Sequence, residues 1–316
     1  LGAGAIAARL RRQMKQRIQK VLAAAGVESR RHIEAMVLEG RVAVNGKVVT
    51  RLPVMVDPLA DSVSIDGETI RIRPSGRSDE LVYLLMNKPK DVYCTNVAQG
   101  EQVRAIDLLG EDYPHRVYPV GRLDADSKGL LLLTNDGELA NKLTHPRYEI
   151  AKTYVAVVAG RVSDETIEAM REGVWLADPK RGGFKTRPSR VRIAKKLPAQ
   201  TVLEVTLREG RNRQVRRVLA KLGHKVRELI RVKMGPLELG NLNPGSYRPL
   251  TSKELRELKI AIEHAEKKAS ERAAEKKASA PQRPVKKKAK PSASRPKPGA
   301  GKPKRTIIAD DEVGEY

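Results

Sequence analysis

The stretch that most limits this 316-residue chain is one that its composition marks as not expected to fold. Between Lys267 and Arg305 stand 15 basic residues, two acidic ones and six prolines, with a single branched apolar side chain, Val285. Such a segment buries too little apolar area to offset the entropy lost on ordering. We therefore read 264–316 as a disordered arm. It would hold phosphates by charge alone, with an affinity that falls steeply with salt. Any fold has to be built from the residues before it.

The net charge of +24 divides unevenly. The span 267–305 carries +13, the last eleven residues carry −4, and residues 1–266 carry +15. An excess of this size points to a polyanionic partner, and nucleic acid is the default. One cysteine, Cys94, excludes an internal disulfide framework and a multi-cysteine zinc site. It fits a reducing compartment. No apolar stretch is long enough to read as a transmembrane helix. Residues 1–27 hold six basic side chains and no acid, as transit peptides do, but contain no serine. We set 1–16 apart as a basic N-terminal segment.

Residues 17–26 place Ile18, Val21, Leu22 and Ala25 on one helical face, and Gly26 closes the helix. Ser29 caps a second helix with Ile33, Met36 and Val37 inward, ending at Gly40. Residues 41–49 read as a hairpin, because Asn45-Gly46 supplies the two positive-φ positions of its turn. Arg17, Lys20, Arg30, Arg31, Arg41 and Lys47 are left outside as an RNA-binding rim. This order of pieces resembles the alpha-L RNA-binding fold, a module shared with a small-subunit ribosomal protein. We assign it 17–77, with Arg71–Arg77 as the way out.

A second domain is expected over 78–263. Residues 81–86 read as a buried strand ended by Asn87-Lys88-Pro89. From Val117 a strand runs into a polar turn carrying Arg122, Asp124, Asp126 and Lys128. A second strand, through Leu130–Leu133, runs out to Asn135-Asp136-Gly137. Polar groups between two apolar strands sit where binding sites usually sit.

Several chemistries compete for this turn. A calcium loop starting at Asp124 needs an acid or amide at its fifth position and Glu at its twelfth; Lys128 and Asn135 stand there. A two-metal nuclease needs further carboxylates, of which Asp136 is one candidate in the next turn. Asp124 and Asp126 could form a glycosidase acid pair, or act only as turn and capping residues. One of them could be a nucleophile in an RNA-modifying site.

The last reading gains from a resemblance. Gly121-Arg-Leu-Asp124, Ser127-x-Gly129-Leu-Leu131 and Thr134-Asn-Asp-Gly137 look like the signature of the RsuA/RluB family of ribosomal RNA pseudouridine synthases. Leu85–Pro89, Lys152-Thr-Tyr154 and Glu209–Arg217 match it in order, and the run Arg211-Asn-Arg-Gln214 looks closest to the RluB branch. The resemblance covers residues 17 to about 255. It implies an α+β protein whose catalytic domain is a mixed, mainly antiparallel sheet with flanking helices. It also implies an isomerase that turns uridine into pseudouridine without cofactor or metal, in ribosomal RNA, with the large subunit expected.

By the same resemblance Asp124 is the catalytic carboxylate and Arg216 its pairing cation, while Tyr154 is read as the ring that holds the displaced base, because a chain with one Phe and one Trp has few rings for that role. Arg122, Lys152, Arg213 and Arg217 are read as RNA contacts. The expected location is the bacterial cytoplasm, with no membrane association and no obligate protein partner. The rival functions are a non-catalytic ribosome-assembly factor of the same fold and a metal-dependent nuclease using Asp124 and Asp126. Trp175, after a helix and Gly173, is read as packing.

Overall fold

The computed structural model describes residues 15–72, 80–178 and 182–278. The first fourteen residues, most of the expected linker and the arm beyond Ala278 lie outside them.

The front module runs β1 (Gln16–Arg17), α1 (Ile18–Ala24), α2 (Arg30–Leu38), β2 (Val42–Val44), β3 (Lys47–Val48), β4 (Met55–Val56), β5 (Val63–Ile65) and β6 (Glu68–Ile70). The Ser29 hydroxyl accepts the His32 N–H at 3.2 Å, as its capping role requires. Asn45 and Gly46 take φ of 51° and 77° between β2 and β3, so the tight turn forms where the dipeptide predicts. Ile18, Leu22, Ile33, Val37, Val42 and Val63 close a small core between the helices and the sheet β3-β2-β5-β6. The six rim cations are exposed. Arg41, however, is clamped by Asp66 through Nε at 2.9 Å and Nη2 at 2.6 Å, which largely cancels its charge.

The larger part continues with β7 (Tyr83–Lys88), β8 (Tyr118–Pro119), β9 (Lys128–Thr134), α3 (Gly137–Thr144), β10 (Lys152–Ala159), α4 (Asp164–Glu172), β11 (Trp175–Leu176), β12 (Phe184–Lys185), β13 (Arg190–Leu197), β14 (Gln200–Leu207), α5 (Gln214–Lys221), β15 (Val226–Met234), β16 (Leu237–Glu238), β17 (Tyr247–Pro249) and α6 (Ser252–Ala278). Nine strands form one sheet in the path β13-β14-β10-β15-β9-β7-β17, with β16 beside β15 and β8 beside β9. Its pairs are antiparallel except β9 with β15, where Lys128 faces Ile230 and Gly129 faces Arg231. The sheet is thus mixed and mainly antiparallel, as expected. Leu130, Leu131, Leu132 and Leu133 are all buried because β9 is covered on both faces: alternate leucines enter two different cores.

Two expectations change here. Asp136 is no third metal carboxylate, for it caps α3, accepting the Glu138 and Leu139 N–H groups at 3.0 and 2.9 Å and the Tyr83 hydroxyl at 2.9 Å. The ordered chain also does not stop at 263. Helix α6 continues through 264–278, which the sequence reading had placed in the arm. Ala, Glu, Lys and Leu are strong helix formers, and the first proline after the helix is Pro281. Its apolar stripe Leu255, Leu258, Ile262, Ala265 and Ala269 keeps helical spacing across the expected boundary and packs on the core with Leu139 and Met234. Glu266 and Arg272 add ion pairs to Lys142 and Glu149.

Helix α6 begins with a reciprocal cap. The Glu254 carboxylate accepts the Thr251 N–H at 2.8 Å and the Thr251 hydroxyl accepts the Glu254 N–H at 3.2 Å. Arg248 adds two bonds to Glu254, at 2.8 and 2.7 Å. The Arg248 hydrogen bond, more than any other contact, holds the Glu254 carboxyl at about 2, against an ordinary 4.5. A depressed folded-state value stabilises the fold above the unfolded value and is lost as pH falls through the folded one. Glu254→Gln should therefore lower unfolding free energy by about 1–2 kcal/mol at neutral pH, after allowing for the half-exposed Arg248. That deficit should shrink as pH drops from 4.5 towards about 2, measured by denaturant titration at each pH.

Candidate active site

The turn between β8 and β9 is held from beneath by the N-terminal half of the domain. The Ser127 N–H donates to the Asp124 carbonyl at 3.0 Å, closing the turn. Leu123, buried, anchors one side, and its N–H reaches the Cys94 sulfur at 3.4 Å. The Asp91 N–H donates to the Ala125 carbonyl at 2.8 Å. Lys88, with no exposed surface, sends Nζ to the carbonyls of Pro89, Val92 and Ala125 at 2.7, 2.8 and 3.4 Å. Three acceptors satisfy its three donors, and burial pushes its pKa down. Lys88 thus stakes the middle of the Asp124–Ser127 turn to the end of β7.

The opposing cations come from α5 and the residue just before it, 87 and more positions away in the chain. Arg213 takes a left-handed φ of 49° just before the helix, which aims its guanidinium back over the turn. It grips Asp126 with two bonds, at 3.1 and 2.9 Å, and lies 3.7 Å from an Asp124 oxygen. Arg216 donates to the Asp126 carbonyl at 2.9 Å and the Val226 carbonyl at 3.1 Å, with Nε 3.3 Å from the Asp126 carboxylate. Burial alone would raise the Asp126 pKa. The Arg213 hydrogen bonds and the two guanidinium charges outweigh it, so the carboxyl ends below its ordinary value.

This corrects the expected pairing. Arg216 meets Asp126, not Asp124, and Arg213 is the cation beside Asp124. Arg217 does not join them. It lies over the Phe184 ring at 5.7 Å and donates to the Ala177 carbonyl. Arg213, at a left-handed φ just before α5, reaches the turn together with Arg216, while Arg217 leaves on another side of the helix. Trp175 is not packing either: it is 58 % exposed on the ribbon β11–β12.

Asp124 opens into a cleft of about 280 Å³ that Tyr154, Lys152, Arg122, His145, Arg213 and Arg231 also line. The structure therefore brings Asp124, Tyr154 and Lys152 together from β9's approach and β10. Tyr154 is half-buried, one side on the core of Ala156 and Leu203. Lys152 is largely withdrawn from water; burial first, and the charge of Arg231 second, bring its amine down to about 8. A second cleft, of about 600 Å³, lies on the Asp126 side and is edged by Lys90, Arg216, His224, Lys225 and Arg227. The rim residues Arg17, Lys20, Arg31 and Lys47 line neither cleft. Arg30 sits against the larger domain, near Tyr118 and Gly137, and Arg116 donates to the Gly26 carbonyl at 3.0 Å.

Sequence reasoning missed Lys88 and Arg231. Arg231 has a readable signal: it occupies an inward position two residues from Leu229 on an alternating strand, where a cation is out of place.

A family model described as RNA pseudouridylate synthase matches residues 82–221, and an S4 domain model matches 16–58. An RNA pseudouridine synthase of Aquifex aeolicus, itself uncharacterized, is 44 % identical over 79 % of this chain and 96 % of its own length. The ribosomal large subunit pseudouridine synthase B of Bacillus subtilis is 42 % identical over 79 % of this chain and 98 % of its own. The chain belongs to the RsuA/RluB family of pseudouridine synthases. Like the family, it joins an S4 module to a synthase domain, and it is an isomerase. A crystal structure titled as pseudouridylate synthase aligns over 77 % of this chain and 99 % of its own, with a TM-score of 0.54 and 29 % identity. The Gly121–Asp124 motif of this synthase is thus the β8–β9 turn, and its Glu209–Arg217 motif is the approach to α5.

Proposed function

We propose that this synthase isomerises a uridine of large-subunit ribosomal RNA in the bacterial cytoplasm, with Asp124 as the nucleophile or base and with no cofactor. The observation that carries the reading is the staked turn. It presents a carboxylate to a cleft that also holds a tyrosine ring and an arginine 3.7 Å from that carboxylate. The relative from Bacillus subtilis, named for the large ribosomal subunit, supports the substrate class.

The reaction breaks the bond between the sugar and uracil N1, turns the base and rejoins it through C5. The proton that leaves C5 is matched by one gained at N1, so nothing is oxidised. Asp124 must be ionised to act on the sugar or the ring. Arg213 sets a positive charge 3.7 Å from the Asp124 carboxylate, and Asp126 with Arg216 fixes where Arg213 sits. Tyr154 offers a face on which a uracil displaced from its stack can rest. The carboxylate oxygens of Asp126 are taken by Arg213 and Arg216, which disfavours a two-aspartate metal site.

The test is incubation with unmodified large-subunit RNA in the presence of a chelator, with pseudouridine mapped by chemical adduct and primer extension. A single modified uridine is the expected outcome. Binding without modification would favour an assembly factor, and metal-dependent cleavage a nuclease. Arg216→Ala should lower turnover by about ten- to a hundredfold while leaving RNA affinity within a few-fold, since it acts through Asp126 and not on phosphate. A fall in affinity alone would make Arg216 an RNA contact.

A further inference from the structure

Arg231 is 1 % exposed, yet its side chain is not satisfied. Its Nε donates to the Leu130 carbonyl at 2.7 Å, while its Nη2 is buried without a hydrogen-bond partner among the described residues. A guanidinium cannot shed its proton to escape this. Beside it, the Lys152 amine has one long bond, 3.3 Å to the Ile150 carbonyl. Neither cation forms an ion pair with a carboxylate among the described residues.

The placement is specific. Tyr154 and Arg231 are direct partners in the β10–β15 ladder, and Lys152 stands two residues before Tyr154 on the same strand face. All three line the cleft that Asp124 opens into. The cleft's carboxylates are committed elsewhere. Asp124 faces Arg213, Glu149 pairs with Arg187 and Arg272, and Glu209 takes Arg211, Gln214 and the Arg187 N–H. Two shielded positive charges with no counter-charge are relieved either when the Lys152 amine gives up its proton or when an anion completes the set.

We infer that Arg231 and Lys152 form the seat of a phosphate of the target nucleotide, an inference that rests on reading this cleft as the uridine site. A uracil oxygen would satisfy the free Nη2 donor but leave both charges uncompensated. A phosphate answers both, and charge-assisted bonds to it are the strong kind. Seated there, it fixes the nucleotide by its backbone and leaves the base free to turn over Tyr154.

The probes are inorganic phosphate, uridine and uridine 5′-monophosphate, added to the full chain. Competitive acetylation of the Lys152 amine, read by peptide mass spectrometry across neutral to alkaline pH, gives its titration midpoint. The midpoint, unlike the plateau, is insensitive to simple shielding. Phosphate and the nucleotide should raise it, because an adjacent anion favours the charged amine, while uridine should not. Arg231→Met should weaken the nucleotide's effect at least about tenfold in concentration, and Arg231→Lys should restore part of it. The wild-type arms decide the matter even when a variant fails to fold. Equal shifts from uridine and its monophosphate would assign the donors to the base and overturn the inference, as would no shift from either anion. A nucleotide response in a chain that makes no pseudouridine would sink the proposed reaction and leave the phosphate seat standing. Pseudouridine formation without a Lys152 response would do the reverse.

Discussion

Asp124→Asn should abolish pseudouridine formation, by about a thousandfold or more, while RNA affinity stays within a few-fold of the parent chain. The amide is isosteric and keeps the turn, since the Ser127 N–H bonds to the Asp124 main-chain carbonyl and not to its side chain. It removes only the negative charge and the electron pair that the chemistry needs. Arg213 retains its two bonds to Asp126, so the surroundings persist. Asp126→Asn makes the contrast. It should lose less turnover, because Asp126 positions two arginines and meets no reacting atom, but it should also loosen α5 against the turn. Primer-extension mapping at saturating RNA, paired with a filter-binding titration, separates the two. Near-normal turnover in Asp124→Asn would remove Asp124 from the chemistry.

Gly129→Ala should be among the most damaging single methyls in the described residues. Gly129 has a φ of 104°, which side-chain-bearing residues rarely adopt, and it faces Arg231 across the parallel pair. A methyl there would lie 2.9 Å from the Arg231 nitrogen and closer still to its carbonyl oxygen, both of them backbone atoms of a central strand. The strain and the overlap together should cost about 3 kcal/mol or more. For a domain of this size that is a fall in melting temperature of roughly 6 °C or more. Gly160→Ala is the control. It shares a positive φ, 77°, but meets nothing within 4 Å, so it should carry the conformational cost without the overlap. Equal melting temperatures for the two variants would show that the sheet yields at Gly129.

Local signals in the sequence were easy to read. Asn45-Gly46 and Ser29 act through neighbours a few residues away, so their effects can be judged from a short window. The cap of α6 had the same kind of signal, Thr251 followed three residues later by Glu254, and the basic composition downstream hid it. The site was legible in its parts and not in its pairings. Asp124 and Tyr154 stood in recognisable motifs. Whether Arg216 meets Asp124 or Asp126, two residues apart in one turn, depends on how α5 is set against β9, and no local pattern carries that. Lys88 and Arg231 matter through carbonyls of Ala125 and Leu130, and main-chain partners leave no mark on residue identity.

The single parallel contact of the sheet has a consequence for how the site is assembled. On one side of it, β7, β8, β9 and β17 carry the Asp124 turn. On the other, β10, β13, β14 and β15, with α5, carry Tyr154, Lys152, Arg213, Arg216 and Arg231. Among the contacts that join them are two residue pairs of the ladder, a Lys128–Glu228 ion pair, the Arg231 bond to Leu130 and the grip of Arg213 and Arg216 on Asp126. A chain with only one side formed owns either the carboxylate or its cations, never both. On the reading of Asp124 as the reacting carboxylate, the site is complete only where the two half-sheets are joined.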